Sequence, residues 1–162
     1  MKIGQSITEL QNKVIDKILK NQEIVKALII DNEDFLNITP TAEQNAILEK
    51  PNVLIRKQIM PYKNITSVTN IDKPYITSAW VNFKRTSNNY KSGRVYFYII
   101  MPNSLEKTAE GIRYLFIADR LDELLSESGI GRFVFDERGD FPIDKETLGH
   151  YIVFNIEDFY GV

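Results

Sequence analysis

Residues 75–101 read YITSAWVNFKRTSNNYKSGRVYFYIIM, and the fold follows from how this stretch is divided. Arg94 to Met101 is a continuous β-branched and aromatic run closed by Pro102, whose missing N–H ends a ladder. Tyr75 to Phe83 alternates, placing Tyr75, Ala79, Val81 and Phe83 on one face and Ser78 and Asn82 on the other, alongside Ile76 and Trp80. SNNYKSG between the two runs supplies turn residues. Together they predict a long β-hairpin.

Upstream of the hairpin, Val53 to Met60 is a strand candidate stopped by Pro61. Before it, residues 31–51 are polar and carry Pro40. They read as one long surface crossing with a helical turn at Ala42 to Leu48. Ser6 with Glu9 has the spacing of a capping box, so a first helix is expected to open there, with Ile7, Leu10, Val14 and Ile18 as its buried stripe. Asn21 punctuates, and Glu23 to Ile30 continues as a second helix packing through Ile24, Val25, Leu28 and Ile29.

Downstream, Asn103 and Ser104 are N-cap types, Glu106 follows three residues after Asn103, and Gly129 stands beyond the last apolar position. One helix of roughly five turns fits between them. GRFVFDE and HYIVFNIEDF then read as two strands. The order predicts a single α+β domain over 1–162, with N-terminal helices, an antiparallel sheet containing the long β-hairpin, and one long helix packed on the sheet.

Hydrophobic residues make up 43% and charged residues 26% of the 162, a folding composition. Lys and Arg number 20 against 22 Asp and Glu, and the net charge of -2 offers no general field for nucleic acid or anionic lipid. There is no Cys, which removes disulfides, thiolate zinc sites and Cys nucleophiles. With no signal-peptide pattern and no apolar run near the ~20 residues of a spanning helix, a soluble protein is expected.

Reactive constellations are sparse, and the expectation is a non-enzymatic protein without cofactor, catalytic set or metal. His150, the only histidine, reads as structural. GIG at 129–131 ends a helix, whereas a phosphate loop opens one. DNEDFLN at 31–37 lacks the Gly and Glu of a calcium loop. Asp136, Glu137 and Asp140 in DERGD are acid types for a cation, but the stretch reads first as a solvated hairpin turn. Asp119, Asp122 and Glu123, with Arg113 and Arg120, read as an exposed polar helix face. Lys84, Arg85, Lys91 and Arg94 interleave with Phe83, Tyr90, Tyr96 and Tyr98 as single-strand binders combine phosphate contact with stacking, and a nucleic-acid-binding hairpin is the alternative function.

The third helix carries two apolar stripes. One is Leu105, Ala109, Ile112 and Phe116; the other is Tyr114, Ile117, Leu121 and Leu124. A sheet face needs one of them. Either the N-terminal helices cover the second or a neighbouring subunit does, and the long hairpin invites the same question. The expected subunit or partner contacts are therefore Phe83, Tyr90, Arg94, Tyr114, Ile117, Leu121 and Leu124.

KNQEIVKALI, VLIRKQIMPY, the two hairpin strands and above all EGIRYLFIADRLDELLSESGIGRF resemble, in pattern and order, the neck and tail-completion proteins of tailed bacteriophages. That group includes tail terminators and head-tail joining proteins. The matching helix positions are Gly111, Arg113, Ile117, Ala118, Asp119, Leu121, Asp122 and Leu124. The resemblance implies a virion protein made in the bacterial cytoplasm and assembled as a homo-oligomeric ring, a hexamer for a terminator. Such a ring caps the tail tube and joins it to the neck, with the sheets of adjacent protomers and the extended hairpin making the contacts within it, and passes DNA through its lumen without reading sequence, with no membrane role. The polar connector at 31–51 and DERGDFPIDKE before the last strand depart from the family pattern.

Overall fold

In the computed structural model, residues 3–62, 71–85, 91–109, 111–127, 129 and 131–159 are described. Helices α1 (Ile3–Lys20), α2 (Gln22–Ile29) and α3 (Ala42–Glu49) precede strands β1 (Ile59–Met60), β2 (Tyr75–Arg85) and β3 (Lys91–Pro102). A two-stranded ribbon, β4 (Lys107–Thr108) and β5 (Gly111–Ile112), leads into α4 (Arg113–Ser126). Strands β6 (Arg132–Pro142) and β7 (Thr147–Phe159) close the fold. The α+β class is as expected.

The hairpin pairs Tyr75 with Ile100 through to Val81 with Arg94. β7 takes the other side of β3, so the main sheet runs β1-β2-β3-β7-β6. All neighbours are antiparallel except β1 and β2, which run parallel and depart from the purely antiparallel expectation. Of the expected strand only Ile59 and Met60 form one, with Ile55 an isolated bridge to Ile59, because Pro51–Leu54 forms a 3-10 turn at the start of the segment.

Alternation along the strands sends Val95, Phe97, Ile99 and Met101 of β3 and Ile152, Phe154 and Ile156 of β7 into the core shared with α1, α2 and α4. The hairpin face assignment fails at Phe83. Asn82 has φ +57 and the register shifts between Val81 and Lys84, a bulge that adds one residue and inverts the alternation. Phe83 therefore lies beside Trp80, rings 6.5 Å apart, on the side opposite Val81. A second shift, between Phe135 and Glu137, lies in β6. DERGD thus lies within a strand, and the expected hairpin turn at those residues is displaced to 143–146.

α1 passes through Ser6, so the Ser6–Glu9 spacing does not open the helix. Asn21 does punctuate: its side chain accepts a hydrogen bond from Ile24 N at 3.0 Å and caps α2, whose Ile24, Val25, Leu28 and Ile29 are all buried. The polar crossing is less peripheral than expected. Phe35 is fully buried, Leu36 and Ile38 pack on the core, and Thr41 and Gln44 form a complete capping box for α3.

The single long helix also divides. Asn103–Leu105 is a 3-10 turn, and Gly111 at φ +118 supports the ribbon before α4 begins. Leu105 and Ala109 therefore lie outside α4.

Candidate functional site

α4 places its side chains in two directions, and the covered direction is the reverse of one sequence expectation. Tyr114, Ile117 and Leu121 are 8%, 0% and 0% exposed, and Leu124 is half-buried against the same core. α4 packs on α1 and α2 as well as on β3, β6 and β7. The protein's own helices and sheet thus cover the second stripe, and Tyr114, Ile117 and Leu121 are not free to meet another chain. From the first stripe, Phe116 meets Phe35 edge-on with centroids 5.2 Å apart.

Arg113 also departs from expectation, because it lies inside the molecule and not on an exposed polar face. Its guanidinium donates to Ala27 O at 2.8 Å, Ile30 O at 2.9 Å, Asn32 O at 3.1 Å and Leu105 O at 3.0 Å. It also rides 4.7 Å over the Phe35 ring. Carbonyls left open at the end of α2 thereby gain donors. Burial lowers the Arg113 pKa, with Asp31 acting in the opposite direction.

The acidic groups disperse into separate ion pairs. Asp136 and Glu137 both meet Arg94, at 2.6 and 3.2 Å. Arg138 meets Asp119 at 2.7 Å, and Asp140 meets His150 at 2.7 Å. Arg120 is held by Glu23 and Glu123 and lies over Phe116. Among the described residues no group of three His, Asp or Glu side chains converges as metal ligands would.

The sheet face turned away from that core carries a connected aromatic layer. Tyr96 and Tyr98 stack at 6.0 Å, Tyr98 meets Phe141 edge-on at 5.6 Å, and Phe141 lies 6.5 Å from Tyr151. Arg94 stands 5.2 Å over Tyr96. Two glycines make room. A Cβ on Gly149 would come within 2.5 Å of the Phe141 ring, and one on Gly139 within 2.9 Å of the Tyr151 hydroxyl. All four rings are half-buried. Val81, 36% exposed, extends this face along the hairpin.

Of the expected contact residues, Arg94 lies on this aromatic face and Phe83 on the other. Tyr90 lies outside the described residues. Phe141 and Tyr151 were missed, although Gly139 and Gly149 were the sequence signal for rings lying across neighbouring strands. Val53, Ile55 and Tyr62, 50%, 37% and 51% exposed, are further exposed apolar side chains before and after β1.

Residues 21–156 match the YomW family. The chain belongs to the YomW family. The match runs from the Asn21 cap of α2 to Ile156 in β7, so it takes in the hairpin, α4 and most of the sheet. YomW is a phage-type family, which upholds the phage side of the resemblance at that coarse level. Comparison with curated proteins returns no match.

Proposed function

We propose that the protein is a structural component of a phage virion at the head-tail junction. In this reading it is a tail terminator or related neck ring protein that joins tail to head by protein contact, without catalysis. The observation that carries the reading is the aromatic outer face of the sheet, formed by Tyr96, Tyr98, Phe141 and Tyr151 and continued by Val81 along the hairpin. A rigid, half-exposed aromatic layer on paired strands suits a protein interface, where tyrosine gives large contact area with little side-chain entropy to lose. Family membership supports the phage setting. The partners are further copies in a hexameric ring, the tail tube and neck proteins, with DNA passing through the lumen.

Light scattering and electron microscopy with isolated tails test this. Rings in solution or density at the head-proximal tail end are expected, and Tyr98→Asp with Phe141→Asp should reduce binding at least about tenfold, equivalent to 1.4 kcal/mol of interface free energy. A chain that stays monomeric at high concentration and leaves tails undecorated overturns the proposal.

A second reading is a single-strand nucleic-acid-binding module, favoured by the Tyr96–Tyr98 stack under Arg94. Against it, Arg94 is already paired with Asp136 and Glu137, and Phe83 faces away from the tyrosines. Oligonucleotide anisotropy should show binding at low salt that weakens with added salt and with Tyr96→Ala. No binding at low ionic strength removes this reading.

A further inference from the structure

His150 is 3% exposed and sits on β7 between Ile99 of β3 and Asp140 of β6. Its Nδ1 lies 2.7 Å from Asp140 Oδ1, and its Nε2 lies 3.2 Å from Arg138 Nε. A guanidinium has donors only, so Nε2 must be the acceptor and carry no proton. The imidazole is therefore neutral, with its hydrogen on Nδ1 and donated to Asp140. Arg138 in turn donates from its NH1 group to Asp119 Oδ1 at 2.7 Å, which reaches α4. Tyr114 of α4 stacks on the imidazole, centroids 5.0 Å apart.

We propose that His150, Arg138, Asp140 and Asp119 form an acid-released latch that ties the edge strand β6 to α4 at neutral pH. A proton arriving at Nε2 would set an N–H donor and a positive charge directly against the Arg138 guanidinium. The two cannot share that geometry. Arg138 must leave the imidazole, which removes one anchor of the guanidinium that bridges to Asp119 and loosens the tie between α4 and the second half of β6, a half then held by its ladder to β7. That half has no strand beyond it, since β6 ends the sheet order among the described residues.

The groups facing the imidazole are Asp140 and Arg138 from β6, Asp119 and Tyr114 from α4, and the apolar Ile99 from β3. Asp140 and Asp119 favour protonation, while burial and Arg138 oppose it. Burial is the largest influence and the pKa lies below the ordinary 6.5. A base whose native pKa is depressed binds its proton more readily once the structure opens. The latch is thus fully closed above pH 6.5 and weakens as pH falls through that value toward the native pKa.

A single histidine makes the test direct. Long-range proton–nitrogen NMR of histidine-labelled protein should show the Nδ1–H tautomer at pH 8 and a native midpoint under 6.5. Amide exchange at Arg138 to Asp140, corrected for intrinsic rates, should accelerate on acidification by about tenfold for each unit separating the two values. Arg138→Met should move the midpoint upward, and His150→Gln should abolish the histidine-linked acceleration. An Nε2–H tautomer at pH 8, a midpoint at or above 6.5, or unchanged exchange across the titration overturns the latch. The wild-type spectra and exchange rates decide even if neither variant folds.

Discussion

Arg113 and Asn82 show how far one side chain can depart from what its neighbours in sequence suggest. Among described residues Arg113 is the largest that is fully buried, and its four acceptors come from two separate stretches of chain, 27–32 and Leu105. Arg113→Met leaves those carbonyls without their donor. The expected loss is about 3 kcal/mol or more, read as a lower urea midpoint at unchanged slope. Arg113→Lys should recover less than half of it, since one ammonium cannot span all four positions. Nothing in the local pattern marked Arg113 as interior, because its acceptors lie up to 86 residues away.

Elements were legible where one local period ran unbroken. β3 was read from its apolar run, α2 from its Asn21 cap and its stripe. The predicted helix from Asn103 to Gly129 was half right: the apolar spacing holds from Arg113 onward, but neither Asn103 nor Ser104 caps a helix, and hydrogen bonds pull the first part out of α-helix. Ala109 N donates to Glu33 O, and Arg113 N to Glu106 O, both at 2.8 Å. The hairpin faces were misread at the bulge for a similar reason, because one residue at positive φ reverses every later position. Asn82→Val, placing a β-branched side chain at φ +57, should cost about 1–2 kcal/mol in chemical denaturation, whereas Asn82→Gly should cost less than half as much. Equal losses from both would mean that the Asn82 side chain, and not its backbone angle, sets the bulge.

At the scale of the whole molecule, the proposed latch predicts a histidine-linked response to acid. Thermal unfolding followed from pH 8 to pH 5 should show His150→Gln losing less stability than wild type below pH 6.5, because the native chain resists a proton that the unfolded chain accepts. Parallel slopes would mean that the acid response belongs to the carboxylates. The aromatic face makes the complementary prediction for assembly. Tyr98→Asp and Phe141→Asp should impair attachment to tails while leaving the helical core spectroscopically intact, since those rings lie outside it.

Local patterning was enough to establish the α+β class, the hairpin, the central apolar strands and the paired N-terminal helices, all of which rest on periodicities that a short window contains. It also raised the right question about α4, which stripe is covered and by what. Only the folded chain answered it: α4 turns Tyr114, Ile117 and Leu121 inward, closes α2 with Arg113, and leaves the aromatic layer on the far side of the sheet. Parallel pairing of β1, the reach of Phe141 across Gly149 and the setting of His150 were decided at the same level. The physical reason is that period and cap chemistry act over a few residues, whereas burial depends on which distant surfaces close together, and a chain written in order carries no local mark of those partners.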